Sequence, residues 1–250
     1  MNVTAYLERI KYHGPIELTA ETLRGLQVAH LLTVPFENLS IHAGQPIILD
    51  DDALFRKIVE RRRGGFCYEC NGLFAALLRA IGFDVKMLSA EVARAGGGFT
   101  QPFAHMTLMV RLDERWLVDV GFGESFLEPL LLDERGDQQQ GNHAYRIVPD
   151  DGYLNLLSND GDGWKPEYRF TLQPYQYEDF NPMCHYQQTS PDSHFTHGRI
   201  CSRAVENGGR ITLSDMRLIL TSREGERQER TLQSDDEYRR ALREEFGVIF

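Results

Sequence analysis

The sequence predicts an α+β fold, and three observations carry that prediction. Apolar residues recur at helical spacing from the start of the chain to about residue 82, and from Phe83 the period changes to two. The last stretch, from about residue 186, reads as strands followed by one helix. No internal repeat or low-complexity linker interrupts this progression.

In the first part, Thr19 is placed to cap a helix whose apolar and small positions are Thr22, Leu23, Leu26, Val28, Ala29 and Leu31. Pro35 prevents its continuation. A second helix starts at Asp50-Asp51-Asp52, whose charges suit the positive end of the helix dipole, and it buries Leu54, Phe55, Ile58 and Val59. It ends at Arg61-Arg62-Arg63-Gly64, cations and a glycine where a helix C-terminus favours them. The three arginines therefore have two readings, a helix cap or a contact for an anionic small molecule.

The chain then runs Gly64-Gly65-Phe66-Cys67-Tyr68-Glu69-Cys70-Asn71. The glycines are expected to let the backbone turn tightly, and Leu73, Phe74, Leu77, Leu78 and Ile81 repeat at helical spacing up to Gly82. This places Cys67 in the first turn of a buried helix. There the unpaired N–H groups and the dipole favour thiolate, and a thiol of reference pKa about 8.5 is expected to be lowered.

From Phe83 the strands are expected at Phe83–Val92, Ala104–Leu112 and Arg115–Val120, then at Tyr145–Val148, Tyr153–Leu157 and Tyr168–Pro174. Gly96-Gly97-Gly98, Asp113-Glu114 and the Asn159–Gly163 run supply turns between them. The last part gives strands near Arg199–Val205, Arg210–Leu213 and Arg217–Thr221, then a helix Asp235–Phe246 stopped by Gly247.

A formal charge of −10 and a pI near 5.3 argue against nucleic acid or an anionic membrane surface as partner, since both select cationic patches. No basic-then-apolar leader opens the chain, and no apolar run approaches the roughly 18 to 20 residues of a spanning helix. The expected location is the cytoplasm. Cys67, Cys70, Cys184 and Cys201 are too few for a disulfide framework, so reduced thiols are expected.

A cysteine nucleophile needs a base, and the base needs a third group that holds its tautomer. His105 lies on a predicted strand, sharing its face with Thr107, Met109 and Arg111, while Met106, Leu108 and Val110 face the other way. Asp119 lies on the next predicted strand, inside the apolar run Trp116-Leu117-Val118-Asp119-Val120 and just before Gly121-Phe122-Gly123. A carboxylate there is costly unless paired, and a histidine on the neighbouring strand would pair it. Spacing alone is a modest signal among 8 histidines, because a lone His on a strand is more often packed or solvated than a base.

Arg63-Gly64-Gly65-Phe66-Cys67-Tyr68-Glu69, preceded by Val34-Pro35-Phe36-Glu37-Asn38-Leu39 and followed by His105 and Val118–Gly123, resembles the arylamine N-acetyltransferase family. The resemblance continues through Gln188-Thr189-Ser190-Pro191 with Phe195-Thr196 and covers almost the whole chain. It implies a papain-like or transglutaminase-like cysteine core in three parts: a helical bundle over 1–82, a β-barrel over 83–185 and an α/β lid over 186–250. It also implies a ping-pong acetyl transfer from acetyl-CoA, through acetyl-Cys67, to an arylamine, arylhydrazine or N-hydroxyarylamine. By matched position Cys67 would be the nucleophile, His105 the base and Asp119 the orienting carboxylate. Phe36 and Phe122 resemble acceptor-pocket positions, with plain core packing as the other reading. Thr107, Gly123 and Phe195 are the expected coenzyme contacts, and Arg61, Arg199 or backbone N–H groups the candidates for its phosphates. No metal is expected.

The chain departs from the family pattern in two places. It stops at Glu245–Phe250 without the further C-terminal segment of many members, which is expected to leave the cleft more open. Cys70 stands where the family is associated with other residue types, so oxidation to a Cys67–Cys70 disulfide is an expected off-switch; a thioredoxin-like pair or a zinc site with Cys184 and His185 are rival uses. A papain-like hydrolase or transglutaminase, an enzyme with another acyl donor, and an idle ligand-binding protein are the other readings of the whole chain.

Overall fold

The structure, a computed structural model, describes residues 1–206 and 208–249; Asn207 and the final Phe250 lie outside them. The first part is helical: α1 (Val3–Arg9), α2 (Ala20–Thr33), a short strand β1 (Phe36–Glu37), α3 (Leu39–His42), α4 (Asp51–Phe55) and α5 (Cys67–Ile81). The expected caps form. Thr19 Oγ1 accepts from the Thr22 N–H at 3.2 Å, and Asp50 Oδ1 accepts from that of Ala53 at 3.0 Å. Beyond α4 the helix widens into a π turn, Arg56–Glu60, closed by the Arg61 N–H on the Arg56 carbonyl at 3.0 Å.

Helix α5 is the centre of the molecule. Every residue from Cys67 to Leu78 is buried, and Leu73, Phe74 and Leu77 are fully so. Truncating one of these to alanine costs about 2–5 kcal/mol. Gly82, in the left-handed region, closes the helix.

Next comes an eight-stranded antiparallel sheet in the order β5-β4-β3-β2-β9-β8-β7-β6. Its strands are β2 (Asp84–Val92), β3 (His105–Arg111), β4 (Arg115–Val118), β5 (Leu130–Leu131), β6 (Gln138–Gln140), β7 (His143–Asp150), β8 (Tyr153–Asn159) and β9 (Trp164–Tyr175). Period-two alternation divides it into two faces. Met87, Met106, Leu108 and Val110 pack against α5, while Leu88, Ala90, Leu117, Ile147, Leu156 and Phe170 fill the barrel interior.

The sheet is closed by side chains where its two ends meet. Gln138 Oε1 accepts from the Leu131 N–H at 2.7 Å, and its Nε2 donates to the Leu131 carbonyl at 2.9 Å. Gln140 does the same for the N–H groups of Leu127 and Glu128 and the carbonyl of Glu128. Each glutamine amide stands in for a peptide group of a neighbouring strand.

The barrel leads through α6 (Tyr177–Thr189) and a single 3-10 turn, His194–Thr196, into β10 (Ile200–Ala204), β11 (Arg210–Ser214), β12 (Arg217–Thr221), β13 (Arg227–Thr231) and α7 (Asp235–Phe246). These strands form a second sheet, β1-β10-β11-β12-β13, so the helical part lends it one edge, with Phe36 opposite Ser202. Tyr238, Ala241, Leu242 and Phe246 of α7 pack on Cys201, Leu213 and Leu218. No helix among the described residues is long and apolar enough to cross a membrane.

The structure differs from expectation in several places. Helix α6 was not anticipated, and the expected boundary between residues 185 and 186 falls inside it. Strand β4 ends at Val118, so Asp119 lies just past the strand rather than within it. Gly64 and Gly65 were expected to serve a tight turn; at Gly64 the need is close approach, since a Cβ would sit 1.9 Å from the Pro35 carbonyl oxygen.

Candidate active site

The start of α5, the start of β3 and the loop after β4 converge. Cys67 is the first residue of α5 and 3% exposed. Its sulfur faces the backbone N–H groups of Met106 and Tyr68. Gly121 closes the other side, where a Cβ would lie 2.7 Å from the Cys67 Cα; only glycine lets this loop approach the helix so closely.

His105 Nε2 is 2.6 Å from Asp119 Oδ2, both groups being buried. That leaves Nδ1 as the ring nitrogen without a carboxylate. Tyr168 donates its hydroxyl to the same carboxylate oxygen at 3.1 Å, while Oδ1 accepts from Asn71 Nδ2 at 2.8 Å and the Gly121 N–H at 2.9 Å. Burial pushes the Asp119 carboxyl up, but His105, Asn71 and the Gly121 N–H outweigh it and hold it below the usual carboxylate range. Asn71 also donates to the Met106 carbonyl at 2.6 Å and accepts from the Val120 N–H at 2.8 Å. It ties α5, β3 and the Asp119 loop together.

The expected lowering of the thiol is overturned. Burial pushes the Cys67 thiol well up, and the N–H groups of Met106 and Tyr68 recover only part of that; the charge of Asp119 adds to the rise. The helix-terminus argument supplied the right donors, but a sulfur this deeply buried loses more by desolvation than they return.

Of the other expected residues, Phe36, Phe122, Gly123 and Phe195 line one region. Phe122 stands edge-on to His105 with ring centres 5.1 Å apart. A Cβ on Gly123 would be 3.7 Å from the Phe36 ring, which lies 6.2 Å from that of Phe195. Thr107 does not fit a coenzyme contact: it is fully buried, its hydroxyl donating to the Val118 carbonyl at 3.2 Å and lying 3.3 Å from the Tyr168 hydroxyl. The Arg199 guanidinium is stacked 4.1 Å over Tyr238. Arg61 is exposed.

Arg63 is drawn inward, away from either role the sequence suggested. It is 2.8 Å from Glu37, and Lys57 bridges from Glu69 at 2.7 Å towards Glu37 at 3.8 Å. Glu69 Oε2 in turn accepts from the Phe66 N–H at 3.2 Å, anchoring the residue before Cys67. Cys70 donates its thiol to the Gly65 carbonyl at 3.1 Å. Among the described residues no group of His, Cys, Asp and Glu is arranged to hold a metal ion.

A sequence profile described as N-acetyltransferase matches residues 19–250. The arylamine N-acetyltransferase of Escherichia coli K12 is 31% identical over 245 residues, covering 97% of this chain and 87% of that protein. The chain belongs to the arylamine N-acetyltransferase family. It is therefore an acyltransferase. Among solved structures of the family, that from Salmonella typhimurium superposes with a TM-score of 0.93 at 31% identity, covering 98% of this chain and 90% of that one. The Mycobacterium marinum arylamine N-acetyltransferase in complex with CoA gives 0.91 at 31% identity, covering 99% and 93%.

Sequence reasoning missed two residues of this cluster. Asn71 carried a signal, since it follows Cys67 by one helical turn and shares its face. Tyr168 carried none, because it reaches Asp119 only through the pairing of β2 with β9.

Proposed function

We propose that this family member transfers an acetyl group from acetyl-CoA to an arylamine, arylhydrazine or N-hydroxyarylamine by a ping-pong route through Cys67. The 2.6 Å contact of His105 with Asp119, beside a buried cysteine, carries the reading. Because burial disfavours the free thiolate, His105 must take the proton: Nδ1 accepts it from Cys67, and Asp119 stabilises the resulting imidazolium. The sulfur attacks the acetyl carbonyl, the bond to the coenzyme sulfur breaks, and the imidazolium returns its proton to that leaving group. In the second half the amine attacks acetyl-Cys67. His105 takes the proton released by the amine and passes it to the departing Cys67.

The apolar surfaces of Phe36 and Phe122 suit a flat aromatic acceptor, and Gly123 with Phe195 would meet the donor. The printed description of the M. marinum relative, a complex with CoA, supports the choice of donor.

Intact mass after brief exposure to acetyl-CoA alone tests the scheme. One acetyl adduct is expected, absent in Cys67→Ser and cleared by an arylamine or hydrazine. A folded, reduced protein that takes up no acetyl group would move the assignment to another acyl donor or to hydrolysis.

A further inference from the structure

Phe103, two residues before His105, has φ of +65°. That conformation strains a bulky side chain. The other non-glycine residues there, Lys11, Arg62, Asp151 and Asp215, are all exposed at turns or helix ends, whereas Phe103 is half-buried. Its ring packs edge-on against Tyr175 and Phe180, with centres 4.8 and 5.2 Å away.

Both of its peptide groups are held by side chains. The Phe103 N–H donates to Ser89 Oγ at 2.8 Å, and its carbonyl accepts from the Tyr68 hydroxyl at 2.7 Å. The same hydroxyl lies 3.3 Å from the carbonyl of Ala104, the residue just before His105. Tyr68 is fully buried and directly follows Cys67, towards whose sulfur its own N–H points.

We propose that Tyr68 is a positioning residue, a strap from the first turn of α5 to the entry of β3 that sets the angle at which His105 meets Cys67. It rests on the reading of Cys67 and His105 as nucleophile and base. Its backbone touches one member of that pair and its hydroxyl controls the approach of the other. Without the hydroxyl, the left-handed turn keeps the Ser89 hydrogen bond, the 3.3 Å bond from the Ala104 N–H to the Gln101 carbonyl and the ring packing but loses the hold on its carbonyl, and relaxation of Phe103 towards the ordinary backbone region swings Ala104 and His105 with it.

The test is the rate of Cys67 alkylation by iodoacetamide as a function of pH, which needs neither acetyl-CoA nor an amine. Tyr68→Phe keeps the ring and is expected to slow alkylation about tenfold at neutral pH, with the profile displaced to higher pH. Its kcat should fall in proportion while KM for acetyl-CoA stays within about twofold. Ser89→Ala, acting from the other end, should move the profile the same way.

Glycine adopts φ of +65° without strain, so in a Phe103→Gly background the Tyr68→Phe loss should shrink to roughly threefold or less. Alkylation profiles in Tyr68→Phe and Ser89→Ala that match the wild type overturn the strap, even if melting temperatures fall. An equal loss from Tyr68→Phe in both backgrounds overturns it too. A wild type that gains no acetyl group from acetyl-CoA overturns the nucleophile reading itself, and the strap with it.

Discussion

Two histidines are buried among the described residues, and they are built in opposite ways. His30, on α2, lies between Tyr6, whose hydroxyl is 3.0 Å from Nδ1, and Phe74; its Nε2 has no hydrogen-bond partner among the described residues. Burial, assisted by the nearby Arg9 cation, lowers its pKa from 6.5 to about 3. It is a neutral aromatic wedge. His105 is nearly as buried at 2% exposed, but a carboxylate faces one of its nitrogens. The difference teaches that depth does not make a histidine a base. On the proposed reading a place for the resulting charge does, and Asp119 would supply it.

The contrast can be broken most severely at Asp119. Asp119→Asn removes the charge while keeping the shape, leaving His105 as unsupported as His30; kcat/KM for acetyl transfer should fall about 10³- to 10⁴-fold, the usual cost of losing an orienting carboxylate. Rates with a fixed arylamine and acetyl-CoA check this.

The second test reads His30 through stability. Its folded pKa lies below its unfolded one, so the unfolded chain takes up the proton first. The stabilising effect of keeping His30 neutral is therefore fully present above pH 6.5 and lost as the pH falls towards 3, at up to about 1.4 kcal/mol per pH unit. Asp119 and Glu37, both held below the carboxylate range, lose their contributions only at lower pH, below about 4.5. Urea unfolding between pH 4.5 and 7 should show a marked slope in the wild type and a flatter one in His30→Gln. Equal slopes would remove His30 from the account.

The smallest effect is expected at Tyr168. Tyr168→Phe withdraws one neutral donor from Asp119 but leaves His105, Asn71 and Gly121 in place, so activity should drop only about three- to tenfold.

The parts of this protein that announced themselves are those whose signal is local. Helix α7 was expected at Asp235–Phe246 and is found there, because its apolar spacing and Gly247 stop lie within one stretch. Cys67, with glycines before it and a buried helix after it, and Asp119, a carboxylate in an apolar run, were visible for the same reason. Helix α6 was not: Pro182 reads as a breaker, and only Phe180 and Cys184 are buried along it. Strand β13, exposed at every residue, has no alternation to detect. The direction of the Cys67 shift was misjudged because the dipole belongs to the helix, whereas desolvation belongs to everything packed around it.

The glutamine seam of the barrel has a bearing on how this protein behaves in crowded solution. An open sheet end offers a row of bare peptide groups to any passing chain, and proteins with such edges tend to associate through them. Here Gln138 and Gln140 occupy the backbone groups of Leu127, Glu128 and Leu131 that a foreign strand would need. The side-chain amides act as a permanent false neighbour, and they guard solubility at the one place where the barrel lacks a true strand-to-strand ladder.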